Sequence, residues 1–463
     1  MKDEIKDSCN WSGNYSYSAV RRHYPETVAQ VQELVTRCHK IKALGTRHSF
    51  NGIADSTEDQ VSLARLDQIE PVDLAHQTVT VGAGVKYGQL GRALDCQGYA
   101  LPNMASLPHI SVAGACATAT HGSGVKNSNL AAVVSGLEMV TGNGDVMVCS
   151  REKDGELFQG MVVGLGSLGV VTKLTLDLIP AFTMRQDVYE NLSFAPLLDD
   201  ENHFETIVSS AYSVSLFTDW RSKKFSQVWL KRRVMEDAAF DPEPLWFGAT
   251  LATVPLHPLP DHSAESCTAQ MGLHGPWHER LPHFRMDFTP SSGEELQSEY
   301  LLPRQHACAA LRALKKISEH IAPLLLISEV RTVAADTLWM STCYHQDSVA
   351  IHFTWRKEWP AVEKLLPIIE EQLAPFHARP HWGKLFTMSS SHLQSLYPKL
   401  PEFLQLQKSC DPHGKFNNAF LEKMILGEND SLNNLQAGSE TCMFPEGDRY
   451  WRVCCALTGS RLS

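Results

Sequence analysis

Apolar residues recur at helical or strand spacing along most of the chain, and their pattern predicts a succession of short elements. Between residues 25 and 41 they return every three or four positions, which predicts an amphipathic helix. A short apolar strand at 41–44 follows and ends in a polar loop at 45–51. A second strand, 78–81, leads through glycines into another helical pattern. The chain therefore repeats a strand–loop–helix step, and such loops frequently carry function.

Two later segments alternate apolar and polar residues with the period of two that is typical of a half-buried sheet. Residues 133–148 predict a hairpin with its turn at 142–145, and residues 170–178 predict a further strand. We therefore expect the residues up to about Pro180 to form one α+β unit.

Beyond Pro180 the chain changes in character and predicts a second α+β domain. Aromatic-rich strands are predicted at 214–220 and 227–231, followed by a loop-rich segment with many prolines and histidines at 242–282. After Phe420 the residues are polar and irregular, which predicts a weakly ordered tail. Before that tail, helices and alternating strands are predicted at 306–321, 326–333, 349–355 and 359–373.

The composition of the 463 residues is that of an ordinary globular protein with large cores. Hydrophobic residues make up 43% and charged residues 20%, which excludes a disordered, collagen-like or coiled-coil chain. Acidic residues outnumber basic residues by 52 to 41, so the net charge of -11 provides no general attraction to nucleic acid or to an anionic membrane. We therefore expect no nucleic-acid partner and no membrane association.

Twelve cysteines are scattered without a CxxC pair or zinc-ligand spacing, which indicates reduced thiols and not a disulfide scaffold. The HExxH motif of metalloproteases and the GxSxG turn of serine hydrolases do not occur, and no metal site is predicted. The first residues are polar and lack the apolar core of a signal peptide, and no apolar run is long enough to span a bilayer. We therefore expect an intracellular, cytoplasmic protein.

Three glycine-rich segments raise the question of a nucleotide cofactor. The segment 82–88 has the spacing GxGxxxG without an acidic residue about 20 positions later, so a tight turn is favoured over a dinucleotide fingerprint. Residues 113–124 are almost all small, which suits either a pyrophosphate cradle or close packing of two backbones, and the two interpretations weigh evenly. A third cluster, 164–169, precedes another strand and favours a large nucleotide cofactor.

Polar residues at alternate strand positions form a second candidate site. Glu329 and Arg331 project to one face of their strand, and His352 and Thr354 do the same on theirs. Such a face suits a polyhydroxylated ligand, although a solvent-exposed sheet produces the same pattern about as often. Lys384 has aromatic neighbours, so it is either a positioned cation or a surface lysine with a buried stem.

Several motifs occur in one order that resembles the FAD-dependent alditol (xylitol) oxidases of the vanillyl-alcohol oxidase superfamily, which are oxygen-dependent FAD-linked oxidoreductases. The resemblance runs from about Asn10 to Phe420, and such a series is far more specific than any single glycine signal. The matching motifs are Gly45–Ser49, Leu101–His109, Gly114–Gly124, Glu329–Thr332 and Arg379–Lys384.

The resemblance implies an α+β fold with two principal domains. A PCMH-type, two-lobed FAD-binding domain is expected at 10–182, and an α+β cap domain that holds the substrate is expected at 183–405. A carboxy-terminal segment at 406–427 would return to the FAD domain. The resemblance offers no counterpart for 428–463, where the composition predicts a flexible tail.

The resemblance also implies the residues of the site. FAD is expected to be covalently attached through His48, although a loop histidine taken alone is usually only a surface or hydrogen-bonding residue. The remaining expected cofactor contacts are Ala43, Leu44, Gly45, Thr46, Arg47, Ser49, Ser106, Ser111, Gly114, Thr118, Ala119, Thr120, His121, Gly122, Val170 and His381. The expected substrate contacts are Ser106, Glu329, Arg331, Thr354 and Lys384.

The catalytic groups are expected to be Lys384, Arg331, Glu329 and His352, with His352 as the proton acceptor because its ordinary pKa lies near neutrality. Ala105 is expected to control access of O2 to the flavin. Arg47 departs from the glycine of many relatives, and if that position requires a positive φ, arginine is strained there.

The implied activity is oxidation of the terminal hydroxyl of alditols such as xylitol and sorbitol to the aldose, with reduction of O2 to hydrogen peroxide. The polyol and O2 would be the partners of a monomeric enzyme. An aldonolactone oxidase or dehydrogenase, with D-arabinono-1,4-lactone oxidase activity, is the alternative within the same fold. A non-catalytic flavin- or sugar-binding protein is the alternative of a different class.

Overall fold

The computed structural model describes residues 8–234, 242–288 and 293–427. The predicted tail at 428–463 lies outside these residues, and residues up to Leu426 belong to one unit. The strands of the first half are β1 (Arg21–His23), β2 (Ile41–Leu44), β3 (Asp59–Ser62), β4 (Thr78–Gly82), β5 (Tyr99–Ala100), β6 (Val134–Val140), β7 (Val146–Ser150), β8 (Val170–Asp177) and β9 (Ile179–Pro180). Its α-helices are α1 (Val28–Arg37), α2 (Tyr87–Asp95), α3 (Val112–Ala117) and α4 (Arg151–Val162).

Two sheets organise this half. The first is parallel, with strand order β1-β3-β2, and the second is antiparallel, with strand order β4-β8-β6-β7. Strands β5 and β9 form a separate antiparallel pair. Because β4 pairs only with an antiparallel partner, the glycines that follow it do not belong to a dinucleotide-binding βαβ unit.

The predicted elements of the first half are found with small shifts at their ends. The helix predicted at 25–41 is α1, which begins after Thr27 because the threonine hydroxyl accepts a hydrogen bond from the Gln30 amide. The hairpin predicted at 133–148 is formed by β6 and β7, and Gly144 in its turn has a φ of +86°.

The second half is built around a large antiparallel sheet. Its strands are β10 (Thr183–Ser193), β11 (Ser213–Thr218), β12 (Lys224–Arg233), β13 (Leu245–Trp246), β14 (Ala249–Leu251), β15 (Gly275–Pro276), β16 (Glu295–Pro303), β17 (Leu325–Val333), β18 (Ser348–Arg356) and β19 (Arg379–Pro380). They follow the order β13-β14-β10-β12-β11-β17-β18-β16-β19, and β15 also pairs with β10. The helices of this half are α5 (Phe194–Asp199), α6 (Glu201–Val208), α7 (Ala307–Lys316), α8 (Ser318–Ile321), α9 (Trp359–Leu373), α10 (Ser390–Ser395), α11 (Leu400–Cys410) and α12 (Ala419–Leu421). Turns of 3-10 helix lie at Gly52–Ala54, Leu130–Val133, Ala264–Ser266, Trp277–Glu279, Arg304–His306 and Ala374–Phe376, and a π-helical turn lies at Glu422–Leu426.

The central strands of this sheet are buried on both faces. On β18, Ile351 and Phe353 belong to the main hydrophobic core, together with Leu311 of α7 and Leu366 of α9. The residues between them on the strand face the opposite side, because successive strand residues alternate. The helices therefore cover one face of the sheet and leave the other for a site.

The carboxy-terminal segment contacts the first half of the chain. The Ile41 amide donates to the Lys415 carbonyl (3.0 Å), which places the segment beside β2. The Asn418 side chain donates to three backbone carbonyls, of Gly52 (3.0 Å), Ile53 (3.1 Å) and Asp55 (2.8 Å). These contacts satisfy carbonyls of the turn that follows the polar loop 45–51.

No helix among the described ranges combines the length and the apolar composition that crossing a membrane requires. Nine cysteines fall in those ranges as free thiols, and seven of them are buried.

Candidate active site

The polar loop after β2 presents a neutral histidine. Arg47 has a φ of +64°, a conformation that costs a non-glycine residue roughly 1 to 3 kcal/mol. The His48 ring stacks on Trp11 at 5.5 Å, and its Nδ1 lies 3.0 Å from the Thr46 hydroxyl. The Nε2 atom is buried without a hydrogen-bond partner in the described residues. Burial, with His109 nearby, lowers the pKa of His48 to about 4, so one ring nitrogen is available for a ligand.

The small-residue segment 113–124 packs directly against this loop. A Cβ atom on Gly45 would lie 3.7 Å from the Cα atom of Gly114 and 3.1 Å from the Ser111 hydroxyl. The segment thus brings two backbones close together, and it also contributes Gly114, Thr118 and Thr120 to the wall of a cavity. The segment therefore serves close packing of two backbones, and it also lines the cavity, as a cofactor cradle would.

The other two glycine clusters differ in what they contact. A Cβ atom on Gly82 or Gly84 would lie 2.2 Å from a backbone carbonyl in the turn 63–66, so these glycines serve a tight turn, as predicted. The cluster 164–169 lines the cavity, and Leu165 within it has a φ of +53°. The cluster 164–169 therefore contributes more residues to the cavity wall than the segment 82–88, of which Ala83, Gly84 and Lys86 line it.

These loops and the large sheet enclose a cavity of about 690 Å³. It extends from the cluster 164–169 past His48 to the polar face of the sheet, so the two candidate sites form one space. The predicted residues that line it are Ala43, Leu44, Gly45, Thr46, Arg47, His48, Ser49, Ala105, Ser106, Ser111, Gly114, Thr118, Thr120, His121, Glu329, Arg331, His352, Thr354, His381 and Lys384.

Three predicted cofactor residues do not line the cavity. Ala119, with a φ of +52°, packs in the main core. A Cβ atom on Gly122 would lie 2.2 Å from the Asn103 side-chain oxygen, so that position is filled by protein. Val170 belongs to the core around α1 and β2, and its neighbour Val171 lines the cavity in its place because adjacent strand residues face opposite sides.

The polar residues of β17 and β18 come together on one face. Glu329 stands opposite His352 in the antiparallel register, and Arg331 and Thr354 lie two positions away on the same sides of their strands. All four side chains are buried and line the cavity, so the alternation is not that of a solvent-exposed sheet.

Sequence reasoning missed the carboxylate at the centre of this face. Glu299 of β16 stands opposite His352 on the other side, and only 1% of its side chain is exposed. Its Oε2 accepts from Lys384 Nζ at 2.8 Å, and its Oε1 accepts from Arg331 Nη2 at 2.6 Å, with His121 Nε2 at 3.4 Å. Burial opposes ionisation of Glu299, but these cations hold its pKa well below the usual range.

Lys384 and His352 form a close pair beside this carboxylate. The Nζ atom of Lys384 lies 2.7 Å from His352 Nδ1, and His352 Nε2 lies 3.0 Å from the Thr354 hydroxyl. Burial, reinforced by Lys384, lowers the pKa of His352 to about 4. The expectation that His352 is the proton acceptor rested on its ordinary pKa, so that reason does not hold here. Burial also lowers the pKa of Lys384, although Glu299 opposes the shift.

The second carboxylate, Glu329, is in hydrogen-bond contact with His283, a histidine that the sequence analysis did not identify. His283 Nε2 lies 2.7 Å from Glu329 Oε1, and Arg331 Nε lies 3.6 Å from Oε2. The His283 amide also donates to the Ser106 carbonyl at 3.0 Å, and the Ser106 hydroxyl accepts from Arg331 Nη1 at 3.3 Å. Ser106 and Glu329 are thus joined through their shared neighbours.

Hydrogen bonds to backbone carbonyls join the loop that carries His48 to the segment that carries Lys384. The Phe50 amide donates to the Gly383 carbonyl at 2.7 Å. The Asn51 side chain donates to the Trp382 carbonyl at 2.9 Å and to the Lys384 carbonyl at 2.8 Å. The histidine and the lysine therefore reach the same cavity from two segments that are held together.

Comparison with known families assigns both halves of the chain. The family described as FAD binding domain matches residues 22–150, and the family described as D-arabinono-1,4-lactone oxidase matches residues 291–424. The first match contains the loop with His48 and the small-residue segment, and the second contains both carboxylates. The cavity suits FAD, because glycine-rich loops line it and one wall carries a buried nitrogen without a partner.

Over 423 residues the chain is 50% identical to the alditol oxidase of Streptomyces sp. (strain IKD472 / FERM P-14339), which covers 90% of this chain and 99% of that protein. The chain belongs to the alditol oxidase family. A more distant relative, the L-gulono-1,4-lactone dehydrogenase of Mycobacterium tuberculosis (strain ATCC 25618 / H37Rv), is 28% identical over 441 residues, or 90% of this chain and 98% of the relative.

The fold of this alditol oxidase family member is also found at much lower sequence identity. The crystal structure of cholesterol oxidase from B. sterolicum superposes with a TM-score of 0.72 at 14% identity, over 90% of this chain and 96% of that one. The expected α+β fold, with an FAD-binding domain of the PCMH type, is therefore confirmed.

Replacing Glu299 by Gln is expected to destabilise the fold by about 3 to 5 kcal/mol, because Arg331 and Lys384 would remain buried beside a neutral amide. The measurement is denaturant unfolding of the purified protein. Glu402→Gln serves as the control, since Glu402 pairs with Lys399 at the surface and its loss should cost no more than about 1 kcal/mol. Equal midpoints and slopes for the two variants would show that Glu299 does not neutralise the cations.

Proposed function

We propose that this protein is an FAD-dependent oxidase that converts the terminal CH2OH group of an alditol of the xylitol and sorbitol class to the aldehyde of an aldose, and that O2 takes up the electrons as hydrogen peroxide. The observation that carries the proposal is the 50% identity to an alditol oxidase over nearly the whole length of both chains. The polar face built from Glu329, Arg331, His352, Thr354 and Lys384 supports it, because a substrate with several hydroxyls requires many hydrogen-bond partners.

FAD is proposed to bind along the cavity, with a covalent bond through His48. The unpartnered nitrogen of that ring and the glycine-rich loops around it support this assignment. The proposed cofactor residues are the predicted ones that line the cavity, and Ala119, Gly122 and Val170 do not line it. When bound, FAD supplies the chemistry of accepting a hydride from carbon and returning the electrons to an acceptor.

The residues of the cap face are proposed to hold the polyol and to stabilise charge on the reacting oxygen. Arg331 places positive charge beside the oxygen that loses its proton, and Lys384 adds a second positive charge once it has taken up that proton, in a buried site where such charge is effective. Glu329, Thr354 and Ser106 would hydrogen-bond the neighbouring hydroxyls. A row of fixed partners orients the chain so that only a terminal carbon presents its hydrogen.

Lys384 is proposed to receive the hydroxyl proton in place of His352. The Nζ atom of Lys384 has two hydrogen-bond partners, Glu299 Oε2 and His352 Nδ1, so one further position around the nitrogen remains for a substrate oxygen. Burial favours the neutral amine, which can accept a proton there, and Glu299 then stabilises the ammonium. His352 would remain neutral as a hydrogen-bond acceptor for the lysine.

Ala105 is proposed to leave a path for O2. Its small side chain lines the cavity next to Ser106. A dehydrogenase of the same fold would instead exclude O2 and pass its electrons to another acceptor.

An aldonolactone is the second candidate substrate. The match of residues 291–424 to the D-arabinono-1,4-lactone oxidase family favours it, because that range contains most of the polar face. A sugar lactone also presents several hydroxyls to Glu329 and Arg331, so the face alone does not separate the two substrates.

The domain limits are also proposed as the sequence predicted them, with an FAD-binding domain at 10–182, a cap at 183–405 and a returning segment at 406–427. The sheet that begins with β10 (Thr183–Ser193) and the bonds of Asn418 to residues 52–55 support these limits. A cytoplasmic location is proposed because the cysteines of the described residues form no disulfide, as is usual in a reducing compartment, and the monomeric state stays a prediction.

A peroxide-coupled screen of alditols and aldonolactones tests the function. Xylitol or sorbitol is expected to bleach the flavin under anaerobic conditions, and air is expected to restore its colour with one peroxide formed per aldose. Preferential turnover of a lactone would support the second candidate. Flavin that stays reduced in air but is reoxidised by a quinone would identify a dehydrogenase.

Acid-precipitated protein is expected to remain yellow, and the tryptic peptide that contains His48 is expected to carry the mass of FAD. The His48→Ala variant should release its flavin into the supernatant, because no bond to the ring can form. His76→Ala, at an exposed histidine, serves as the control. Colour that leaves the precipitated wild-type protein completely would contradict the covalent bond but not the binding of FAD.

Lys384→Met is expected to slow flavin reduction by xylitol about a hundredfold or more, which is typical for loss of one group that stabilises a developing oxyanion. Flavin content and the melting temperature are measured in parallel to exclude a folding defect. Lys399→Met, which removes a lysine paired with Glu402 at the surface, should reduce its flavin at the normal rate. A normal rate in Lys384→Met would remove this lysine from the mechanism.

A further inference from the structure

Behind the polar face lies a buried lysine that has no role in the proposed reaction. Lys231 of β12 is 1% exposed, and its Nζ atom has three neighbours within hydrogen-bond distance. The Leu281 and Pro282 carbonyls lie at 2.6 and 2.8 Å, and Nδ1 of His283 lies at 3.1 Å. Burial lowers the pKa of Lys231 to about 7, although Glu329 opposes the shift. Below that pH the ammonium has one N–H for each of these three acceptors.

His283 connects this lysine to the site. Its Nε2 atom lies 2.7 Å from Oε1 of Glu329 and 3.5 Å from the Ser215 hydroxyl. A carboxylate only accepts hydrogen bonds, so a bond of this length to ionised Glu329 requires a proton on Nε2. Burial opposes ionisation of Glu329, but Arg331 and His283 hold its pKa below the usual range. The contacts of both ring nitrogens therefore indicate the same neutral tautomer, in which Nδ1 accepts from Lys231 and Nε2 donates to Glu329.

We propose that His283, with its tautomer set by Lys231, is a positioning residue that fixes Glu329 for binding a substrate hydroxyl. The inference rests on the proposed function in one respect, namely that Glu329 binds the polyol. His283 is well placed for this task, because its backbone amide also holds the carbonyl of Ser106, the other proposed contact to the polyol.

The surroundings of the ring keep this arrangement in place. Burial lowers the pKa of His283 to about 4, and Lys231 reinforces the shift while Glu329 opposes it. A backbone hydrogen bond also holds the loop that carries His283, because the His283 carbonyl accepts from the Thr268 amide at 2.9 Å. Glu329 Oε1 is thus held by a neutral donor, and Oε2 stays available to Arg331 and a substrate.

The charged and titratable groups that act on the His283 ring or on Lys231 lie on two strands and in the loops before His283. Lys231 lies on β12, Glu329 and Arg331 lie on β17, and Cys267 and Arg280 lie on the loop segments before His283. Without Lys231, Nδ1 would face no donor while Nε2 still donates to Glu329, so the ring would gain a second proton at Nδ1 and become a cation.

The first test observes the ring nitrogens of 15N-histidine-labelled holoenzyme by NMR, without substrate. The His283 signals are identified by their loss in His283→Gln. A neutral Nε2–H tautomer is expected at about pH 6, above the pKa of His283 and below that of Lys231, and Lys231→Met is expected to abolish it. Lys315→Met is the control, since Lys315 also donates to two carbonyls, of Trp220 (3.3 Å) and Ser222 (3.1 Å), but does not contact a histidine ring. A protonated or Nδ1–H ring in the wild type, or an unchanged ring in Lys231→Met, would overturn the role of Lys231.

The second test separates positioning from packing by kinetics with xylitol. His283→Leu removes the donor to Glu329 and should raise KM about tenfold or more, as expected for a hydrogen bond to a charged group. His283→Gln keeps an N–H near the position of Nε2 and should restore most of the affinity, with flavin content unchanged in both variants. Equal losses in the two variants, or a normal KM in His283→Leu, would overturn the proposal. If the wild type oxidises no alditol, the proposed function fails, and the NMR measurement still decides whether Lys231 sets the ring of His283.

Discussion

Two carboxylates buried in one cavity wall require cations beside them, and this requirement shapes the candidate site. Glu299 is surrounded by Lys384 and Arg331, and Glu329 is held by Arg331 and His283. Unpaired, either carboxylate would be strongly disfavoured away from water. The pairing fixes the relative positions of β16, β17 and the segment before α10, so the arrangement of charges and the arrangement of backbone depend on each other.

The same network links the cap to the loop that carries His48. Lys384 reaches Glu299 from a segment whose carbonyls accept hydrogen bonds from Asn51, three residues after the histidine. A cofactor attached at His48 and a substrate held by Lys384 would therefore be positioned by one continuous set of contacts. Such shared support keeps reacting groups aligned without a conformational change, which is how binding contributes to rate in a preorganised site.

Three of the strained backbone positions lie in the loops around the cavity. Arg47, Ala119 and Leu165 all have positive φ values, and each lies in one of the three loops from which the candidate flavin site is built. A non-glycine residue in this region is retained only where its neighbours determine the conformation. At Arg47 the φ value is positive, so the strain that the sequence analysis considered for an arginine at this position is present.

Local patterns in the sequence determined which elements form and which side chains share a face. The alternation on β17 and β18 placed Glu329, Arg331, His352 and Thr354 on one side, because side-chain direction in a strand depends only on position. The helix α1 and the hairpin of β6 and β7 were predictable for the same reason, since capping and turn residues act over a few positions. The order of motifs indicated the family, which the 50% identity to an alditol oxidase then confirmed.

The tertiary structure alone decided what those side chains meet. Strand β16 was not predicted, because it is buried on both faces and shows no clean alternation, and so Glu299 was missed. His283 lies in a loop-rich segment and reaches Glu329, 46 residues away, only through the fold. The pKa of His352 falls to about 4 because burial and Lys384 act on it together. Burial and charge pairing arise from residues distant in the chain, so spacing along the sequence predicts a face but not its partners.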